Sequence, residues 1–529
     1  ITLRAPIDRS AAQIDTRFGD KPEVAGAIHF TIGKAYRGLG LLEPAREQLH
    51  NALSAYRQAY GDDHATIAET LNQIAEAHNN GGEFASAEST YRQSVDMLRR
   101  LPVRNNDLLG DSLGGLGITL QYKGQYPEAE VNLREALAME LATFGDDHLE
   151  TATAKDNLAG LLTDMGQHDE AMTLYREGLD TRRRLDGEFG YSTVHSMNNL
   201  AVLLVKERKF DEAEPLFRQS LDALRKQLGE NHPTVGACIH NIGDLLRRKR
   251  DLAGAEREFR AALAIFRAEL GDDHDYALNA LNGVGEVLLE AHKVDEAEPC
   301  IVEVYERRMR LFGSDHPDSL VSLIDMGWVK KERGKYAEAI TFYQAGVEGR
   351  RRVLGPDHPA TMSAMSQLAG VYRDAGDHVN AEPLYRELLE LRRAKSGEDS
   401  RETLGAMNAL AACLAAQNRM DDSRVLYEQV LAVRQGTLPA DHADIAASMF
   451  ALGQNLQDAS RAAEAEPLLR GAVDIRSKSS PESDKSRLTT QVALGECLID
   501  LGRIDEAEPL ISGAMAAAEN AQPPMPQDA

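Results

Sequence analysis

The feature that most constrains this chain is a period: its residues recur every 42 positions almost from end to end, without an insertion or deletion. Sliding by that step brings Ala213 onto Ala45, Ala87, Ala129, Ala171, Ala255, Ala297, Ala339, Ala381, Ala465 and Ala507, with Ser423 the one exception. A second phase, from Gly33 through Ala75, Gly117, Ala159 and Ala201 to Gly495, holds only Gly or Ala. A fixed period of this length is the mark of a solenoid, in which each unit buries its apolar face against its neighbours rather than alone.

Within one unit, Met197, Leu200, Ala201, Leu203 and Leu204 fall at helical spacing, and after a polar break Ala213, Leu216, Phe217, Leu221 and Leu224 do so again. Each unit is therefore predicted to be two helices. Glycines in the break, such as Gly166 and Gly334, suit the left-handed conformation that ends a helix. Asp211 with Glu214 three residues later predicts a capping-box start for the second helix, repeated at Asp295/Glu298 and Asp505/Glu508. Pro215, Pro299, Pro383, Pro467 and Pro509 are read as lying in the first turn, where the N–H groups have no intrahelical partner. The small residues let two backbones approach, and a bulky ring at the phase of Phe217 (Tyr91, Tyr175, Phe259, Tyr343, Tyr385, Tyr427) fills the space beside them.

This alternation of small and large positions resembles the tetratricopeptide repeat. The 42-residue length and the joint Leu354–Pro359, LGPDHP, are similar to its kinesin light chain variety. The resemblance covers roughly residues 22 to 520. It implies an all-α, right-handed superhelical solenoid of about twelve helix-turn-helix repeats, starting near 22, 64, 106, 148, 190, 232, 274, 316, 358, 400, 442 and 484. Residues 1–21 lie outside the phase and are expected to form a capping helix, with Ile7, Ala11, Ile14 and Phe18 on its inner side. The segment also looks like the joint at which bacterial serine/threonine protein kinases pass into a repeat-bearing region. The chain begins on Ile1, which suggests a fragment or processed product. No HRD, DFG or Gly-rich loop occurs, so kinase chemistry is not expected of these residues. The Pro-rich residues 521–529 are expected to be a disordered tail.

A formal charge of −25 argues against a phosphate-binding surface and favours a basic protein partner, with no nucleic acid. The four cysteines, Cys238, Cys300, Cys413 and Cys497, form no CxxC pair and read as small core residues, compatible with a reducing, cytoplasmic compartment. No run of about 18 apolar residues exists to span a membrane. The third repeat begins with a Gly-rich helix around GDSLGG, expected to be the least stable and a local hinge, since each helical Gly costs roughly 0.5–1 kcal/mol. Gly110-Asp111-Ser112-Leu113-Gly114 matches a nucleophile elbow in letters, but it lacks the preceding strand and is read as chance.

His64, His148, His232, His274, His316, His358 and His442 recur one per repeat. They are read as helix-entry residues because side chains one repeat apart, about 10 Å, cannot converge on one metal ion. No metal, catalytic residue or cofactor is expected. The runs Arg182-Arg183-Arg184 and Arg350-Arg351-Arg352 read as solvated caps at second-helix ends.

The candidate binding residues lie on the first helices. Asn157, Asn199 and Asn241 recur at the 42-residue step, each one residue before a core position. In the resembled family this side lines a concave groove and grasps peptides through such asparagines, whose side chain can pair with both N–H and C=O of an extended strand. The bland reading is surface amides bonded to each other. Asn198, Lys206, Arg247, Arg248, Trp328 and Lys331 surround the ladder: the cations would select a carboxylate, and the tryptophan would anchor a partner or pack into the next repeat. The expectation is a non-catalytic scaffold binding a protein or extended peptide along the groove of repeats four to eight. Two other readings stay open: the docking part of a larger kinase, and a solenoid that self-associates through its ends.

Overall fold

The computed structural model describes residues 7, 9, 11, 13–102, 106–479, 481 and 484–521. Among the described residues there are 25 helices and no strand. A short helix, Ile14–Phe18, precedes twelve pairs that run from Pro22–Gly38 and Leu42–Tyr60 to Lys485–Asp500 and Ile504–Ala521. Ile14 is buried, with Ile7, Ala11 and Phe18 packed beside it over Ala25, Ile32 and Tyr36. The tail 522–529 lies outside the described residues, as do 103–105 at the head of the Gly-rich helix.

The repeat is an outcome of close packing. Ala45, Ala87, Ala129, Ala171 and Ala213 are all completely buried, and the rings of Tyr91, Phe217, Phe259 and Tyr343 beside them are 1–4% exposed. At Ser423, the exception, the hydroxyl is also buried and accepts a hydrogen bond from Asn455 Nδ2 at 3.0 Å. The Gly-rich helix of the third repeat is continuous from Asn106 to Tyr122. Its glycines admit bulky neighbours: a β-carbon on Gly115 would enter the Tyr91 ring, and one on Gly117 would strike Leu133.

The turn inside each pair takes three residues. Lys209 N–H bonds back to Leu204 C=O at 2.8 Å, and the residue between helices takes a positive φ, +78° at Gly166 and +71° at Gly334. Five joints put a non-glycine there, Arg208 at φ 59° among them. This tight turn corrects the expected second-helix start. The helix opens at Phe210 on Lys209, with no side-chain cap, so Asp211 is a first-turn acid favoured by the helix dipole rather than a capping residue. The same shift places Pro215 in the second turn, inside the helix, where the Asp211 carbonyl loses its donor.

Contacts divide the chain into two compact units, Ile1–His358 and Pro359–Ala529. In the first, successive first helices from Pro22–Gly38 to Pro317–Glu332 touch one another while second helices do not make comparable contact, so the first helices line the inner side of the curve. Its core runs unbroken from Leu49 to Val329. The curve brings the turn at Gly82 against His316 and Pro317, and a β-carbon at residue 82 would have no room. In the second unit the first helices Ala443–Asp458 and Lys485–Asp500 likewise touch.

The histidines at helix entries are N-caps. His64, His148, His232, His274, His316 and His442 each accept, through Nδ1, the backbone N–H two residues on, at 3.1–3.2 Å. Cys238, Cys413 and Cys497 are buried and Cys300 is half-buried; all are free thiols.

Candidate binding face of the first helices

Two cavities in the first unit open on the inner face. The larger, about 780 Å³, is walled by first helices of the first four repeats, with Lys34, Glu76, Asn79, Asp111 and Asn157 among its lining. Its floor shows second-helix side chains, Tyr91, Leu133, Ala136 and Glu140, because Gly110, Gly114 and Gly115 leave the covering helix bare. The smaller, about 390 Å³, is lined by His240, Asn241, Asn282 and Glu286. Both use the same register: Lys34, Glu76 and Ile118 stand whole repeats from Glu286 and from Trp328.

Asn157 borders the larger cavity and Asn241 the smaller one. Asn241 Nδ2 donates to Asn198 Oδ1 at 2.7 Å, and Asn199 bonds the Asp156 carboxylate. Three of the four amides are thus engaged within the chain. The cations are engaged as well. Lys206 pairs with Asp164 at 2.8 Å, Arg248 with Asp244 at 2.9 Å, and Arg247 with Asp244, Glu286 and Glu290. Trp328 is half-buried against the core and its Nε1 donates to Glu332 at 3.2 Å, a turn further along its own helix. Lys331 sits half-buried next to that turn. The charges of Lys206, Arg247 and Arg248, read from the sequence as a positive patch, are therefore balanced by carboxylates of their own and adjoining first helices.

Ser112 of the elbow-like motif is wholly buried, its hydroxyl 2.8 Å from the Leu108 carbonyl and 3.0 Å from Asn72 Oδ1. It faces neither base nor solvent. No three His, Cys, Asp or Glu side chains among the described residues converge to hold a metal ion, and no described helix is long and apolar enough to cross a membrane.

A set of second-helix arginines was missed in the sequence. Arg182 and Arg350, taken for solvated caps, are 6% and 8% exposed; Arg308 is 1%. They point inward because their phase is that of Tyr56, Leu98, Leu224 and Phe266, a core phase. The signal that could have found them was recurrence: arginine stands there in six repeats, at 182, 308, 350, 392, 434 and 476. Each guanidinium with known partners finds acceptors on a neighbouring first helix. Arg434 donates to the Asp444 carbonyl at 2.9 Å and to Ser448 at 2.8 Å. At that phase the third repeat carries Glu140. Burial and the nearby Asp111 push its carboxyl up to about 7, and burial together with Asp107 pushes Asp111 to about 6.

The tetratricopeptide repeat family model matches residues 23–100, 108–184, 192–268, 237–308, 276–352, 329–394 and 402–478, and a second model of that description matches 488–511. No curated protein matches the chain. Among solved structures, a kinesin light chain protein with nearly identical TPR-like repeats from Podosopora anserina is 25% identical over 39% of this chain and 98% of its own, with a TM-score of 0.36. BtubC (BKLC) from P. vanneervenii is 26% identical over 44% and 92%, with a TM-score of 0.37. The quorum sensor NprR from B. thuringiensis, in its apo form, is 13% identical over 70% and 99%, with a TM-score of 0.47.

Proposed function

Because this chain belongs to the tetratricopeptide repeat family, we propose that it is a non-catalytic scaffold that holds an extended segment of a partner protein along its first-helix face. The observation that carries this reading is the shared register of the two inner cavities, which offers one set of polar side chains to a ligand running across successive repeats. Asn157 and Asn241 supply amides there, each able to donate and accept toward a peptide backbone, while Asn282, whose Nδ2 is held by Glu286 and Asp325, has only its Oδ1 to offer. Asn198 stands behind Asn241 and orients it, and Asn199 is held on the Asp156 carboxylate. Lys206, Arg247, Arg248 and Lys331 act as the fixed, charge-balanced walls of the groove, and Trp328 contributes an apolar edge. Affinity on such a face comes from many modest contacts rather than from one deep pocket.

The test is a peptide array probed with the full chain. Binding that falls several-fold in the Asn199→Ala/Asn241→Ala double variant, at unchanged helicity and melting temperature, supports the reading. Absence of binding to any peptide, or equal binding by the variant, rejects it.

A further inference from the structure

The third repeat departs from the others at one place in the register, and the departure creates a charge without a partner. In four of the six repeats that carry this arginine, the guanidinium crosses to the next first helix and meets a hydroxyl 14 residues on: Ser196 for Arg182, Ser322 for Arg308, Ser448 for Arg434 and Thr490 for Arg476; Arg350 and Arg392 have Ala364 and Ala406 at that place. Arg308, Arg434 and Arg476 also reach the backbone carbonyl 10 residues on. Behind them, Arg182 and Arg308 find an acceptor 29 residues earlier, Thr153 or Asn279.

The third repeat keeps acidic side chains at two places around this joint and lacks the donor. Asp111 stands at the place of Thr153 and Asn279, now a full carboxylate, and Glu150 stands at the place of Asp318 and Asp444. The arginine itself is replaced by Glu140. Ala154 takes the place of the hydroxyl, and Gly114, in the phase of Asp156, leaves open space where a β-carbon would touch nothing. Glu140 is 4% exposed and its Oε2 has no hydrogen-bond partner. Its other oxygen rests against Gly110, where any larger residue would displace it. All three carboxylates line the larger cavity, and among the described residues none of them is ion-paired.

We propose that this cavity takes from a partner the arginine that the third repeat lacks: it binds the guanidinium of an arginine side chain carried on an extended peptide. The assignment deepens, and rests on, the reading of the first-helix face as a peptide groove. A guanidinium fits because its planar fork bonds several separated acceptors at once, as the internal arginines do here, and because it is weakly hydrated for a cation. The raised carboxyl of Glu140 points the same way, since a buried acid without a counter-ion is held neutral until a cation arrives, and the carboxylates crowded around Asp111 help raise it too. Lys34 and Arg37 are at the far end of the cavity, where Arg37 is committed to Glu76 and Gln73.

The experiment titrates the full chain with an N-acetylated, C-amidated nonapeptide bearing one central arginine in a Gly/Ser background, and with its citrulline twin, which keeps the shape and removes the charge. The arginine peptide is expected to bind about tenfold more tightly or better, as a charged hydrogen bond predicts. Glu140→Gln and Asp111→Asn should each abolish that preference. Glu140→Arg should abolish it too and raise the unfolding midpoint, because the joint is then closed from inside; this readout needs no ligand. Equal binding of the two peptides, or a preference that survives Glu140→Gln, overturns the proposal. So does competition by acetyl-arginine amide as strong as by the peptide, which would make the site one for small guanidines. On the peptide array, binding without enrichment of arginine sinks the pocket and leaves the groove standing; no binding at all sinks both.

Discussion

Arg182 Nη1 lies 2.6 Å from Asp156 Oδ2, both side chains less than a tenth exposed, and Ser196 of the following repeat bonds the same carboxylate at 2.9 Å. Three helices of two repeats are tied by this one contact. Burial nevertheless holds the Asp156 carboxyl above its ordinary range, so the pair is worth little against an apolar pair of the same volume, whereas half of it is costly. Arg182→Ala should destabilise the joint by about 3–5 kcal/mol. Amide exchange in Leu149–Asp164 and Tyr191–Lys206 should quicken accordingly. Arg182→Met with Asp156→Leu should recover most of the loss, and exchange as fast as in the single variant would show that the ion pair itself holds the repeats together.

The close approach of paired helices makes a second prediction. Ala213 has no exposed surface, and Phe217 fills the space next to it. Ala213→Leu adds three carbons to a joint with no room, at a cost of roughly 1–3 kcal/mol. Urea unfolding monitored by circular dichroism measures it, and a midpoint equal to that of the parent would refute the tight contact.

How much of this was legible beforehand follows from which side chains the period repeats. The alanines at the phase of Ala213 and the rings at the phase of Phe217 announce the helix pair because packing forbids other sizes there. The histidines at helix entries were legible as structural for the same reason, being one per repeat. The starts of the second helices were not, since a turn closed by a positive φ at Arg208 needs no side-chain cap and leaves no mark in composition. The inward arginines were hidden by their neighbours: Arg182 sits in a run with Arg183 and Arg184, and a run of cations looks like a solvated end. The hollow beside Glu140 was hidden more deeply still. It exists only as a difference between one repeat and the rest, and the glycines that open it looked like a weakness of the helix.

Those glycines carry opposite expectations. Gly114 faces open space, so Gly114→Ala removes the backbone freedom of the unfolded chain without a clash and should stabilise the helix by about 0.5–1 kcal/mol. Gly115→Ala drives a methyl into the Tyr91 ring and should destabilise it. Thermal unfolding of the two variants gives shifts of opposite sign. Two shifts of the same sign would contradict the account of the cavity floor.

Acidity should act on this repeat in the direction opposite to the usual one. Asp111, ordinarily at 3.8, is raised to about 6, and Glu140, ordinarily at 4.5, to about 7. Asp107, Glu150, Glu76 and Glu69 surround them, and Arg37 and Lys34 stand at the Glu76 end. Between those limits the folded chain holds more protons than the unfolded one, so the slope of stability with pH is negative: the contribution is intact below about pH 4 and is lost as pH rises to about 7. Ion-paired carboxylates elsewhere, such as Glu214 beside Lys249 and Arg218, are lowered and work the other way. The comparison therefore has to be made against the Asp111→Asn/Glu140→Gln double variant, which leaves those pairs in place. Parent stability should gain on the variant steadily as pH falls from 8 to 5, in urea titrations at fixed ionic strength. A difference between the two chains that stays constant over that interval would mean that the two carboxyls titrate as free acids and that no uncompensated charge is stored behind Gly110.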